Sequence, residues 1–241
     1  MKRPKDYLIF PLDVPTYDEA IRYVELLKGH VGLFKVGLEL FVSVGPKILR
    51  AIRERSGSGI FLDLKFHDIP ATVKNAFTAT STYGITFTTV HCDEGKGLLR
   101  SVVKNNPSGT KILAVTVLTS LEGKDLKELG YIDRYINDLT ELVMLKARMA
   151  KEAGCSGVVC SGLEVEKVKA ELGKEFIAVT PGIRPTWSLA GKDDQKRIIT
   201  PYQAIKKGAD YIVVGRPIRK AKKPIEATKR VLDEIEMAIS G

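Results

Sequence analysis

Phe61-Leu62-Asp63-Leu64-Lys65-Phe66-His67-Asp68-Ile69-Pro70 reads as a β-strand running into the loop before a helix. Asp63 and Lys65 are two residues apart, so on a strand their side chains share one face, and Leu62 and Leu64 take the other. In a barrel the leucines would meet the surrounding helices and the two charges would face the interior. Charges there are costly unless paired. A buried ion pair is the plain reading. Asp68, just beyond the strand end, weakens it, because a lysine flanked by two carboxylates is held protonated. A protonated lysine at a strand end suits a group that must deliver a proton.

Outward from this stretch, short β-branched runs alternate with helical patterns along the whole chain. Strands are expected to begin near Tyr7, Leu33, Ile60, Thr86, Ile112, Gly157, Phe176 and Tyr211. Amphipathic segments follow Tyr17, Gly45, Pro70, Glu94, Asp138, Glu164, Thr200 and Pro224. Such alternation implies parallel pairing with right-handed crossovers. Eight units in 241 residues favour a closed (β/α)8 TIM barrel, one α/β domain over residues 1–241, against an open doubly wound sheet. Two helix starts are well signalled. Thr200-Pro201-Tyr202-Gln203 offers a capping threonine, a proline in the first turn and a capping-box glutamine, and Lys207-Gly208 closes that helix. Asp138 with Glu141 opens another, ending at Gly154.

Catalytic groups of such barrels sit at the C-terminal ends of the strands. The first strand ends at Asp13 and the second carries Lys35. Asp13, Lys35, Asp63 and Lys65 thus form an alternating charge set over three successive strands, a pattern that packing alone does not call for. The eighth strand ends Val214-Gly215-Arg216-Pro217. Gly215 would let backbone approach an anion and Arg216 would grip phosphate oxygens, near the place where barrels often hold phosphate. The seventh strand ends Thr180-Pro181-Gly182-Ile183-Arg184, followed by a polar stretch to Arg197 that is long for a barrel loop and reads as a lid. Gln195 within it could reach the same phosphate. Thr119 and Ser120 end the fifth strand and could bind a base or sugar, or could simply cap a turn. His91 reads as a packed strand-end residue. His67 and His30 carry no evident site, and three isolated histidines do not suggest a metal cluster.

The composition excludes several classes. A hydrophobic fraction of 44% and a charged fraction of 28% suit a globular chain, and no apolar run is long enough to cross a membrane. The basic start Met1-Lys2-Arg3 is followed by an apolar run too short for a signal peptide. Three cysteines, Cys92, Cys155 and Cys160, lack metal-ligand spacing and read as buried thiols of a cytoplasmic protein. The net charge of +9 is spread over helices beside acidic residues. It fits a solvated surface and a small anionic substrate better than nucleic acid.

Taken with Ala114-Val115-Thr116-Val117-Leu118-Thr119-Ser120 and Thr180-Pro181-Gly182-Ile183-Arg184-Pro185, these segments resemble the bacterial form of the orotidine 5′-phosphate decarboxylase family over nearly the whole chain. The resemblance implies decarboxylation of orotidine 5′-monophosphate to UMP in pyrimidine synthesis, with no metal and no organic cofactor. It implies Lys65 as proton donor to C6 of the pyrimidine, Asp63 against the departing carboxylate and Lys35 in the charge network. Asp13 would bind the ribose. Asp68 and Thr72 would reach it from the other subunit of a homodimer. Thr119 or Ser120 would lie near the base, and Arg184, Gln195, Gly215 and Arg216 on the phosphate side. Ala71 departs from the asparagine usual after Ile-Pro, and Thr89-Val90-His91-Cys92-Asp93-Glu94 replaces a run of smaller residues. Two alternatives stand beside this reading. A 3-keto-L-gulonate 6-phosphate decarboxylase shares the Asp-x-Lys-x-x-Asp element but needs magnesium, held by an acidic residue on strand two where this chain has Lys35. A phosphate-binding barrel without catalysis would not need the charge set.

Overall fold

The computed structural model describes residues 2–188 and 197–241. Eight parallel strands close into a barrel in chain order: β1 (Leu8–Pro11), β2 (Leu33–Gly37), β3 (Gly59–Phe66), β4 (Phe87–His91), β5 (Lys111–Val115), β6 (Gly157–Val159), β7 (Ile177–Thr180) and β8 (Tyr211–Val213). β8 pairs back onto β1 through Leu8–Ile212 and Ile9–Val213. Helices fill the connections, among them Tyr17–Leu27, Lys47–Ser56, Pro70–Thr80, Gly95–Lys104, Leu139–Glu152, Val165–Leu172, Pro201–Lys206 and Pro224–Ser240. The expected strand starts lie within one residue of those observed. Short helices at Leu38–Val44, Gly123–Glu128, Asp133–Asn137 and Arg216–Arg219 are additional; a helix of four to seven residues shows too little periodicity to be read from sequence.

The period-two alternation of the strands builds two apolar layers. Ile9, Leu33, Phe61, Phe87, Leu113 and Val179 point inward and plug the barrel, with the Phe61 and Phe87 rings edge to face at 6.0 Å. The intervening residues, Leu8, Phe10, Phe34, Val36, Ile60 and Leu62, face outward and pack under the helices, and Leu64 joins them. The plug sits below the C-terminal strand ends. Above it the inward positions on β1 to β3 carry charge, so the apolar floor leaves a polar mouth.

Local signals fix the helix ends. The Thr200 hydroxyl accepts from the Gln203 N–H while the Gln203 side chain accepts from the Thr200 N–H. The Asp138 carboxylate accepts from the Thr140 N–H at 2.8 Å. Cys92, Cys155 and Cys160 are buried thiols in no disulfide. Burial pushes each of them up to about 12, which leaves them inert. No helix among the described residues is long and apolar enough to cross a membrane.

Candidate active site

The C-terminal mouth of the barrel opens into a cavity of about 290 Å³. Its wall includes Asp13, Lys35, Asp63, Lys65, Thr119, Ser120, Arg184, Gly215 and Arg216. Nine residues singled out on six separate strand ends therefore meet in one pocket. Asp68 and Thr72 do not. Both are exposed on the loop and first helical turn after β3, away from their own barrel's pocket. The Asp68 carboxylate accepts from the Ile69 N–H at 2.6 Å. Gln195 lies outside the described residues.

The charges form a chain. The Lys35 ammonium lies 3.2 Å from Asp13 and 3.5 Å from Asp63, and the Lys65 ammonium donates to Asp63 at 2.9 Å. This corrects one sequence expectation. Within a single chain the lysine held between two carboxylates is Lys35, whereas Lys65 touches Asp63, and Asp68 is turned away. Two residues of separation along β3 did place Asp63 and Lys65 together, but Asp68 follows the turn out of the barrel.

Burial alone would push the Lys35 ammonium down, yet Asp63 and Asp13 outweigh it and hold Lys35 above its ordinary value. Burial would likewise raise Asp63. Lys35 and Lys65, with hydrogen bonds from Lys65 and Thr89, hold it below the usual carboxylate range instead. Each charge is thus fixed by its neighbours, and the set is stable only as a set.

Thr89 on β4 is the functional residue that the sequence did not single out. Its buried hydroxyl donates to Asp63 Oδ1 at 3.0 Å and accepts from the Lys65 backbone N–H at 2.9 Å. Lys65 has φ 49, alone among the described non-glycine residues in taking a positive value. The left-handed region costs an ordinary side chain roughly 1–3 kcal/mol and persists only where surrounding contacts over-determine it. The β3–β4 register also shifts between Leu62 and Phe66. A bulge of this kind re-aims a side chain, and here it aims the Lys65 ammonium at Asp63. Thr89 holds both ends of the turn. A threonine in an apolar strand run was the available signal.

Two glycines make room. A Cβ on Gly37 would come within 3.1 Å of the Lys35 ammonium and 3.6 Å of Asp13. On Gly215 it would strike Pro11 at 2.7 Å. Gly215 is therefore required first by the packing of β8 on β1, beside whatever it offers an anion. Arg184 is buried, and its guanidinium donates to the Ile183 carbonyl at 2.8 Å. Past the seventh strand, the Arg197 guanidinium lies against the fully buried Glu164 carboxylate.

His67 and His91 are not isolated. Their rings stack with centroids 5.0 Å apart, and Asp93 lies 2.5 Å from His91 Nδ1. The two histidines come from different strand ends, which no spacing in the sequence reveals.

Residues 6–231 match the family model described as the orotidine 5′-phosphate decarboxylase / HUMPS family. The chain belongs to this family. It is an enzyme by that membership. An orotidine 5′-phosphate decarboxylase of Desulfosudis oleivorans is 50% identical over 239 residues, covering 99% of this chain and 96% of that one. That of Syntrophus aciditrophicus is 43% identical over 249 residues, covering 100% and 97%. Among solved structures, the Lactobacillus acidophilus orotidine 5′-phosphate decarboxylase superposes with a TM-score of 0.80 at 37% identity, over 95% of this chain and 98% of that one. The Pyrococcus horikoshii enzyme gives 0.74 at 26% identity, over 95% and 99%.

Proposed function

We propose that this enzyme converts orotidine 5′-monophosphate to UMP and carbon dioxide in pyrimidine synthesis, without metal or organic cofactor. The observation that carries this reading is the chain Asp13–Lys35–Asp63–Lys65 across the mouth of the barrel. Loss of carbon dioxide leaves an electron pair at C6, in the ring plane and poorly delocalised. The Lys65 ammonium, aimed by the bulge and held by Thr89, stabilises that charge and then delivers its proton to C6. Asp63, ionised by its neighbours, lies against the departing carboxylate and favours its release. Lys35 keeps Asp63 ionised and positions Asp13 toward the ribose. Thr119 and Ser120 flank the base. Arg184, Gln195, Gly215 and Arg216 serve the phosphate, which does not react; its binding energy organises the site.

The functional unit in this reading is a homodimer. Asp68 and Thr72 are exposed, and Leu38 and Val42 after β2 and Ile69 after β3 expose 56%, 81% and 67% of their surface. Exposed apolar side chains on the segments that follow two neighbouring strands suit burial against a second barrel. Asp68 and Thr72 then enter the neighbour's pocket, and Lys65 gains its second carboxylate there.

A 3-keto-L-gulonate 6-phosphate decarboxylase would need a metal-binding carboxylate on β2. Lys35 stands there, with its charge reinforced. UMP formation from orotidine 5′-monophosphate in the presence of EDTA tests the proposal. Turnover supports it; activity only on the keto-sugar phosphate, restored by magnesium, supports the alternative. Binding without turnover of either substrate supports a phosphate-binding barrel.

A further inference from the structure

Beside the pocket, where β3 and β4 leave the barrel, His67, His91 and Asp93 each bring a ligand atom within 4.8 Å of the others. None of the three lines the main pocket. We propose that they bind one divalent transition-metal ion of the zinc type, apart from the decarboxylation chemistry. Two imidazoles and a carboxylate are the donor set that borderline ions such as Zn²⁺, Co²⁺ and Ni²⁺ accept, whereas Mg²⁺ and Ca²⁺ prefer oxygen alone. Bonds of about 2.0–2.2 Å place tetrahedral donors roughly 3.4 Å apart. His91 Nδ1 and Asp93 lie 2.5 Å apart in direct contact, and opening by about 1 Å would admit an ion between them. The His67 side chain is 54% exposed, and with Nε2 against Glu94 its Nδ1 is the nitrogen left for an ion.

The surroundings are those of a ligand cluster. Asp93 spends its other oxygen on the buried Lys146 ammonium at 2.5 Å, which fixes the carboxylate and leaves one oxygen facing His91. Glu94 lies with its carboxylate against His67 Nε2, and both its oxygens are shut off from solvent without a well-formed hydrogen bond. A carboxylate on a ring nitrogen is the usual device for orienting a ligating imidazole. Asp93 and Glu94 set two carboxylates against the single Lys146 ammonium, a balance that favours a dication. His91 and Asp93 also line a second cavity of about 310 Å³, with room for a water as fourth ligand. An ion here would join the ends of β3 and β4 and clamp the turn between Lys65 and Asp68.

The test is a titration of the full chain, stripped with EDTA and desalted, with Co²⁺, followed by visible ligand-field absorption, and with Zn²⁺ by calorimetry. One equivalent per chain is expected. His67→Ala and Asp93→Asn should each weaken binding by at least about tenfold, Glu94→Gln by roughly 10–100-fold as an outer-shell group, and His30→Ala not at all. Zn²⁺ should raise the melting temperature of the wild type but not of His67→Ala, whose position is exposed enough to leave the fold intact. Absence of a saturable Co²⁺ spectrum in the wild type overturns the proposal. So does binding unchanged in both His67→Ala and Asp93→Asn, or binding lost equally in His30→Ala. None of these outcomes bears on whether orotidine 5′-monophosphate is the substrate.

Discussion

Replacing Thr89 with valine removes one hydroxyl and keeps the shape of a fully buried strand residue. That hydroxyl makes two bonds, one donated to the ionised Asp63 and one accepted from the Lys65 N–H. A hydrogen bond to a charged group is worth roughly 1.5–3 kcal/mol and a neutral one about 0.5–1.5 kcal/mol. Because Asp63 and the bulge stay buried, the two together predict a loss of about 3 kcal/mol at neutral pH. The charged share depends on pH. Asp63 titrates below its ordinary value of about 3.9, so its contribution is present above that value and is lost as pH falls through the lower folded one. The difference between Thr89→Val and wild type should therefore be largest near pH 7 and shrink in acid. Urea unfolding of both proteins from pH 7 down to pH 3, with turnover measured on the same samples at pH 7, checks this. The lysine that the hydroxyl aims should lose at least about tenfold in kcat, one decade per 1.4 kcal/mol. A stability loss under about 1 kcal/mol with unchanged kcat would refute the view that Thr89 holds the turn.

Arg216→Ala should lower kcat/KM for orotidine 5′-monophosphate by roughly 10–100-fold, the worth of one guanidinium–phosphate contact. It should leave the poor reaction of orotidine lacking phosphate much less affected; equal losses on both substrates would remove the phosphate role. Lys65→Ala and Asp68→Ala should each be severely impaired alone, yet mixing them with subunit exchange should restore about a quarter of native sites, since random pairing makes about half the dimers mixed. Exchange without recovery would place both residues in one chain's site.

The barrel was legible because its signals are repetitive and local. Eight apolar runs, the Thr200 capping box and the Asp138 cap each specify an element without reference to the rest. The pocket followed from the fold, since Asp13, Lys35, Asp63 and Arg216 occupy strand ends, and a barrel brings strand ends together. What could not be read depends on atoms meeting across strands. Lys65 takes its backbone conformation from Thr89, 24 residues away. Gly37 looks like any strand-end glycine until Lys35 and Asp13 are seen over it. The stacking of His67 on His91 joins two strand ends with no shared motif. The expectation that Lys65 sits between Asp63 and Asp68 placed Asp68 beyond the strand end without knowing which way the chain leaves it, and in one chain it leads Asp68 away from the pocket.

The central claim is that Lys65 supplies the proton to C6. Its most direct test is single-turnover decarboxylation by Lys65→Ala, with circular dichroism to verify the fold and UMP binding measured on the same preparation. General acid catalysis of this kind is worth at least about 10²–10⁴-fold, so turnover should fall by that factor or more while UMP still binds. A folded, UMP-binding Lys65→Ala protein that turns over within about tenfold of the wild type would contradict the account.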